Sequence, residues 1–109
     1  MSRAKGNLGE EKAKDFLLSL NFFIIESNFY SKFGEIDIIA TKDNVLHFIE
    51  VKSGLSYEDA IQNITPVKLS RLIKTGYVYI KKNSLDTDYV YDAVIVTANN
   101  IDFLENITI

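Results

Sequence analysis

The sequence predicts a single α/β domain with the element order helix, three strands, helix, strand. Apolar residues recur at helical spacing from residue 8 to about residue 20, and again from residue 67 to about residue 82. Short runs rich in Ile, Val and Phe lie between these segments and after the second one. The chain has 109 residues, which is close to the usual size of one domain, so we assign all of it to one unit.

The N-terminal part predicts a helix followed by one strand. Residues 1–6 form a polar lead-in that we expect to be frayed, and Asn21 is a suitable stop for the helix. Residues 22–26 read as the first strand, and residues 27–32 as a connection. The helix can bury one face, made of Leu8, Ala13, Phe16, Leu17 and Leu20.

Residues 33–40 and 47–53 predict a β-hairpin. Both runs are apolar, and Asp43-Asn44 between them tolerates the positive φ of a tight turn. A turn at these two residues pairs Lys42 with Val45 and Ala40 with His47. The register of the two strands is then set along their whole length.

This register brings two carboxylates together. It places Asp37 opposite Glu50, with Cβ atoms about 4.5–5.5 Å apart, and Glu35 opposite Lys52. Like charges at this distance repel each other, so a bound divalent cation with oxygen ligands is a natural compensation. Lys52 projects to the same face as Glu50, where its ammonium could stabilise a charged intermediate or help to generate a nucleophile.

The second half predicts helical segments, then a strand. Ser56 can cap a short helix, and Thr65 can cap a longer one that starts at Pro66. Residues 89–97 read as the fourth strand, and residues 101–109 could add a short edge strand. On the longer helix the predicted apolar side is Leu69, Leu72, Ile73, Gly76, Tyr77, Tyr79 and Ile80, and the basic side is Lys68, Arg71, Lys74, Lys81 and Lys82.

Composition excludes several classes of protein. Without cysteine the chain has no disulfide, thiolate zinc site or cysteine nucleophile. With one histidine, any metal would be bound mainly by carboxylates. The apolar runs are shorter than a membrane span and the start lacks a signal-peptide pattern, so we expect a cytoplasmic protein without a membrane partner. The net charge of −3 weighs against a strong nucleic-acid binder.

Several blocks of the chain together carry a family resemblance. The sequence resembles the YraN family of small bacterial proteins, which is assigned to the PD-(D/E)xK nuclease superfamily and is similar to Holliday-junction resolvases. The resemblance covers residues 6–97. The matching blocks are residues 6–13, Asn28, residues 34–40, residues 48–52, Lys68 with Arg71 and Leu72, and Tyr91-Asp92.

The resemblance implies a fold, a site and a substrate. The fold would be restriction-endonuclease-like, with a mixed four-stranded sheet flanked by helices. Asp37 and Glu50 would ligate Mg²⁺ or Mn²⁺, Lys52 would be catalytic, and Glu10 would complete the acidic cluster. The substrate would be DNA, including branched DNA, and resolvase-like relatives form dimers, so a homodimer is compatible with this function.

Other interpretations of the same residues stay open. Lys52 could form a salt bridge with Glu35, and Lys68, Arg71 and Lys74 could be either a phosphate-contacting stripe or a solvated helix face. The family often has arginine where this chain has Ser53-Gly54. The alternative function is therefore an inactive nuclease-fold module that binds nucleic acid or a protein.

Overall fold

The computed structural model describes the backbone of residues 2–108 and the side chains of residues 8–108; Met1, in the predicted lead-in, lies outside them. Its helices and strands are α1 (Ser2–Ser19), β1 (Phe23–Ser31), β2 (Gly34–Lys42), β3 (Val45–Ser53), α2 (Tyr57–Ile61), α3 (Pro66–Lys82), β4 (Asp88–Val96) and β5 (Ile101–Leu104).

The domain is α/β with a mixed sheet, as predicted, but the sheet has five strands instead of four. The strands lie in the order β1-β2-β3-β4-β5. β3 and β4 are parallel, and the other neighbours are antiparallel. A parallel pair requires a crossover, which α2 and α3 provide. The element order therefore differs from the predicted one by a second helix before β4 and by the edge strand β5.

The predicted hairpin register is confirmed over the paired part of β2 and β3. Lys42 pairs with Val45 and Ala40 pairs with His47. Asp43 and Asn44 form the turn with φ values of 52° and 66°, a conformation that Asp and Asn tolerate better than most residues.

Two boundaries differ from the prediction. α1 begins at Ser2, before the predicted start near residue 8. β1 continues to Ser31 through the residues predicted to be a connection. The strand was hard to recognise because the pairing shifts between Ile24 and Glu26, and Asn28 has a φ of 55°, so regular alternation of polar and apolar residues is lost.

The helix caps and the buried face of α3 test the second half of the prediction. Ser56 and Thr65 cap α2 and α3 as predicted, accepting hydrogen bonds from the backbone N–H groups of Asp59 and Lys68. The buried face of α3 is shifted from the predicted one. Leu72, Thr75, Gly76 and Tyr79 are buried, whereas Ile73 and Tyr77 are 42% and 57% exposed.

Helices cover both faces of the sheet. Ala13 and Leu17 of α1 pack with Ile38, Ile49 and Val94. Leu72 and Tyr79 of α3 pack with a second set, which contains Ile39, Phe48 and Tyr91. Neighbouring strand residues point to opposite faces, so these two clusters lie on opposite sides of the sheet. Within the described residues, none of the helices has the length and apolar character needed to cross a membrane.

Candidate active site

A cleft of about 520 Å³ opens where β2 and β3 part. Backbone pairing between these strands ends at Ile38 and Ile49, although β2 extends back to Gly34 and β3 extends forward to Ser53. The two strand ends form the floor of the cleft, and residues of α1 and α3 flank it. The lining includes Glu10, Glu35, Asp37, Glu50, Lys52, Ser53, Lys68 and Arg71.

Asp37 and Glu50 meet at the base of this cleft. They occupy the next positions of the predicted register, directly after the last pair of the ladder. Asp37 is buried, with 9% of its surface exposed, and its Oδ2 accepts a hydrogen bond from the backbone N–H of Val51 at 2.7 Å. The carboxyl group of Glu50 lies within side-chain hydrogen-bonding range of the Asp37 carboxyl group. The two acidic side chains therefore contact each other, as the hairpin predicts.

The environment favours a proton on this pair. Burial raises the pKa of Asp37 most, the hydrogen bond and negative charge of Glu50 raise it further, and the resulting pKa is about 8. The Val51 N–H and the ammonium of Lys52 act in the opposite direction and lower this pKa. At neutral pH the pair therefore retains one proton that isolated carboxyl groups would have lost.

Lys52 is the cation associated with the acidic pair. It lines the same cleft and is near enough to Asp37 to lower the pKa of its carboxyl group. The alternative salt bridge with Glu35 does not form, since the ion pairs among the described side chains are Lys14–Glu11 and His47–Asp92. The Lys52 ammonium is therefore available to interact with a phosphate or a nucleophile in the cleft.

Glu10 reaches the cleft from α1 and is linked to Glu35 through Asn28. With the Asn28 amide oriented to satisfy its neighbours, its nitrogen donates to Glu10 Oε1 at 3.1 Å and to Glu35 Oε2 at 3.0 Å. Burial, followed by the charges of Asp37 and Glu35, raises the pKa of Glu10, and the Asn28 hydrogen bond lowers it. Asn28 thus holds two carboxylates side by side at the edge of the acidic pair.

The close approach of α1 to the end of β3 depends on Gly9. A Cβ atom at this position would lie 2.5 Å from the Ser53 hydroxyl oxygen, so only glycine fits without a shift of that side chain. Glu10 is the next residue, and this approach brings its carboxylate to the cleft. Gly9 is therefore needed for the packing of α1 against β3, and Glu10 supplies a carboxylate to the cleft.

The three predicted phosphate-contacting cations separate into two groups. Lys68 and Arg71 line the cleft opposite the acidic strands. Lys74 does not line it, and its ammonium lies 5.6 Å from the centre of the Phe33 ring. The basic face of α3 therefore begins in the cleft and continues outside it.

The oxygen donors of the cleft suit a hard divalent cation. Mg²⁺ typically keeps several water ligands and binds to proteins through one or two carboxylates, which Asp37 and Glu50 can supply. Among residues 8–108, no three acidic or histidine side chains are placed to hold one ion together. Asp37 and Glu50 would therefore be direct ligands, while Glu10 would act through a bound water molecule.

His47 lies away from this site. It pairs with Ala40, and its Nδ1 is 2.5 Å from Oδ2 of the buried Asp92, whose other oxygen accepts the Asn106 backbone N–H at 2.9 Å. Its ring stacks edge-on against Phe22, which belongs to the cluster under α1. The His47–Asp92 pair therefore links β3 and β4 on the face opposite the carboxylates of the cleft.

Sequence reasoning missed the roles of Glu35, which lines the cleft, and of Asn28, which is hydrogen-bonded to two of the lining carboxylates. Glu35 was considered only as the partner of Lys52, and Asn28 only as part of the resemblance. Glu35 lies two positions before Asp37, which places both on one strand face and was a readable signal. The role of Asn28 depends on its left-handed backbone conformation, which the sequence did not indicate.

The chain is similar to members of one protein family over most of its length. The model of a family described as "Uncharacterised protein family UPF0102" matches residues 9–96. A UPF0102 protein of Sulfurimonas denitrificans is 64% identical over 109 residues, with both chains fully covered. One from Wolinella succinogenes is 51% identical, again with both chains fully covered. One from Helicobacter pylori strain HPAG1 is 53% identical over 97% of this chain and 92% of its own.

Proposed function

We propose that this chain, which belongs to the UPF0102 (YraN) family of uncharacterised proteins, is a metal-dependent endonuclease that hydrolyses phosphodiester bonds in DNA. The contact between Asp37 and Glu50 is the observation that carries the proposal. Placing these two acids together is unfavourable for folding at neutral pH, because the folded protein must keep a proton that a free carboxyl group would lose. Carboxyl groups with such strongly shifted pKa values are typical of functional sites.

The proposal includes membership of the PD-(D/E)xK nuclease superfamily and a restriction-endonuclease-like fold. An acidic residue on the first helix, an antiparallel three-strand unit and a crossover to a parallel fourth strand support this assignment. One cleft is lined by all four residues that the superfamily pattern requires, which are Glu10, Asp37, Glu50 and Lys52. A cytoplasmic location is part of the same proposal.

Each residue then has a distinct task. Asp37 and Glu50 would hold Mg²⁺ or Mn²⁺, which would polarise a phosphoryl oxygen and lower the pKa of an attacking water molecule. The Lys52 ammonium stabilises the negative charge that develops during hydrolysis. Lys68 and Arg71 bind the phosphate backbone from the other wall, and the Arg71 guanidinium can do so with two parallel hydrogen bonds.

The test is a cleavage assay on branched, single-stranded and linear duplex DNA with Mg²⁺ or Mn²⁺. Wild-type protein should cut in the presence of metal and stop in EDTA, and Asp37→Ala should be inactive. Asp43→Asn is the matched control, because Asp43 is an exposed acid at the other end of the same hairpin. Cutting that persists in Asp37→Ala would refute the proposal.

A second candidate is a non-catalytic nuclease-fold module. The net charge of −3 and the absence of a three-acid group among the described residues favour it. Calorimetry with Mn²⁺ separates the two functions. Heat that disappears in Glu50→Ala supports the enzyme, whereas no heat with wild-type protein supports the module.

Action on two strands of a branched substrate would also require a homodimer, which sedimentation would detect.

A further inference from the structure

We propose that Phe33 is a base-stacking platform at the exit of the cleft and that the preferred ligand is a DNA strand with unpaired nucleotides. This inference rests on the proposed function, because it assigns the substrate class of the same cleft. It starts from the two-residue turn between β1 and β2, where Lys32 and Phe33 lie between Ser31 and Gly34.

The Phe33 ring is placed at the surface. Phe33 is half-buried and is not a member of the apolar clusters that the described residues form. The ammonium groups of Lys32 and Lys74 lie 5.2 and 5.6 Å from its ring centre. Both lysines are exposed, so their ammonium groups approach the ring from the solvent side and can move aside for a ligand.

The turn that carries this ring is held in place by α3. The Ser31 hydroxyl accepts the backbone N–H of Phe33 at 3.0 Å and lies 2.9 Å from the hydroxyl of Thr75, which is fully buried. Gly34 packs beside the Arg71 side chain, since a Cβ atom there would lie 3.5 Å from the Arg71 Cβ. The platform is therefore positioned before a ligand arrives, which lowers the entropy cost of binding.

A row of cations connects the platform to the acidic site. On α3 every third residue from 68 to 74 is a cation, namely Lys68, Arg71 and Lys74. The row therefore spans about 9 Å along the helix. All three are exposed, and within residues 8–108 none of them forms an ion pair with a carboxylate. A strand whose phosphate lies in the cleft could follow this row and reach Phe33 with a neighbouring nucleotide.

Base pairing decides which DNA can use the platform. In a duplex both faces of each internal base are covered by its neighbours, so no internal base can stack on Phe33. In a single strand, a flap or the branch point of a junction, an unpaired base has an accessible face, and stacking on an aromatic ring stabilises it. The overall charge of −3 makes this local contribution important, because phosphate attraction to the protein as a whole is weak.

The test is a binding measurement in EDTA that does not depend on cleavage. Fluorescence anisotropy would compare a single strand of about 15 nucleotides with the blunt duplex of the same sequence. We expect the single strand to bind about tenfold more tightly. Phe33→Leu should weaken single-strand binding about tenfold and leave duplex binding unchanged, because leucine preserves the apolar contact but has no aromatic face. Phe33→Tyr should bind like the wild type.

Three results would overturn the inference: equal affinity for both DNAs, wild-type affinity in Phe33→Leu, or no binding of either DNA. A control variant, Tyr77→Leu, removes another exposed ring of α3 that does not line the cleft, and it should bind normally. Cleavage of duplex DNA together with equal binding would support the nuclease but refute the platform. Preferential single-strand binding without cleavage would support the platform but refute the nuclease.

Discussion

Asp37 Oδ2 accepts the backbone N–H of Val51 at 2.7 Å, so a side chain takes the hydrogen bond at the point where the β2–β3 ladder has ended. This contact keeps the N–H satisfied while the two strands separate. It also holds the carboxyl group of Asp37 against Glu50, which lies next to Val51 on β3. The opening of the sheet and the acidic pair are thus parts of one arrangement.

Stability should fall as pH rises toward 8. Burial and Glu50 raise the pKa of Asp37 from its ordinary 3.8 to about 8, so between these values the folded protein holds a proton that the unfolded chain has lost. The contribution of this proton to the free energy of unfolding is fully present below pH 4 and is lost as pH passes 8. Between these values the free energy of unfolding should fall by up to about 1.4 kcal/mol per pH unit. Urea unfolding of metal-free protein at several pH values would measure it.

The matched variants for this measurement are Asp37→Asn and Asp43→Asn. Asp37→Asn should flatten the pH dependence, because an amide does not titrate, and it should be more stable than the wild type at pH 8. Asp43→Asn should keep the wild-type slope, since Asp43 is exposed in the turn. An unchanged slope in Asp37→Asn would contradict the assignment of the proton to the acidic pair.

Metal binding should release a proton. A divalent cation between Asp37 and Glu50 requires both carboxylates to be ionised, so one Mn²⁺ should displace about one proton at pH 7. The apparent affinity should increase up to about pH 8. Calorimetry in two buffers with different ionisation enthalpies would count the protons. Heat that is identical in both buffers, or that survives in Glu50→Gln, would show that the metal binds elsewhere.

Asn28→Gly should reduce cleavage about 10- to 100-fold, the range seen when residues that orient metal ligands are removed. The variant loses the hydrogen bonds to Glu10 and Glu35, while glycine accepts the φ of 55° without strain. Cleavage rates and urea unfolding would be measured together. Asn44→Gly is the matched control, because Asn44 has a φ of 66° in the distant hairpin turn. Equal activity of the two variants would exclude a positioning role for Asn28.

Gly76→Ala should destabilise the protein by about 1–3 kcal/mol, although alanine favours helices. A Cβ atom at Gly76 would lie 2.3 Å from the Tyr91 hydroxyl oxygen and 2.7 Å from its ring, and that hydroxyl donates to the Ile73 carbonyl. Thermal unfolding would measure the effect. Ser70→Ala, on the exposed side of the same helix, should be neutral or slightly stabilising. Equal stability of the two variants would show that Tyr91 can move aside.

Local sequence signals predicted the elements that depend on local physics. The Asp43-Asn44 turn between two apolar runs was enough to predict the pairing of Ala40 with His47, which the structure confirms. The Ser56 and Thr65 caps were also readable, because a capping hydroxyl acts on backbone groups within three residues. The continuation of β1 was not readable, because its bulge and the left-handed Asn28 interrupt the strand pattern.

The sequence alone determined that Asp37 and Glu50 would be neighbours, since a tight turn and a two-residue repeat fix which side chains oppose each other. Only the tertiary structure decided which residues join them. Glu10 and Arg71 reach the cleft because α1 and α3 pack on opposite faces of the sheet. Asn28 has a left-handed backbone conformation, and its amide is hydrogen-bonded to the carboxylates of Glu10 and Glu35. Such contacts depend on packing between elements far apart in the chain, which no local pattern encodes.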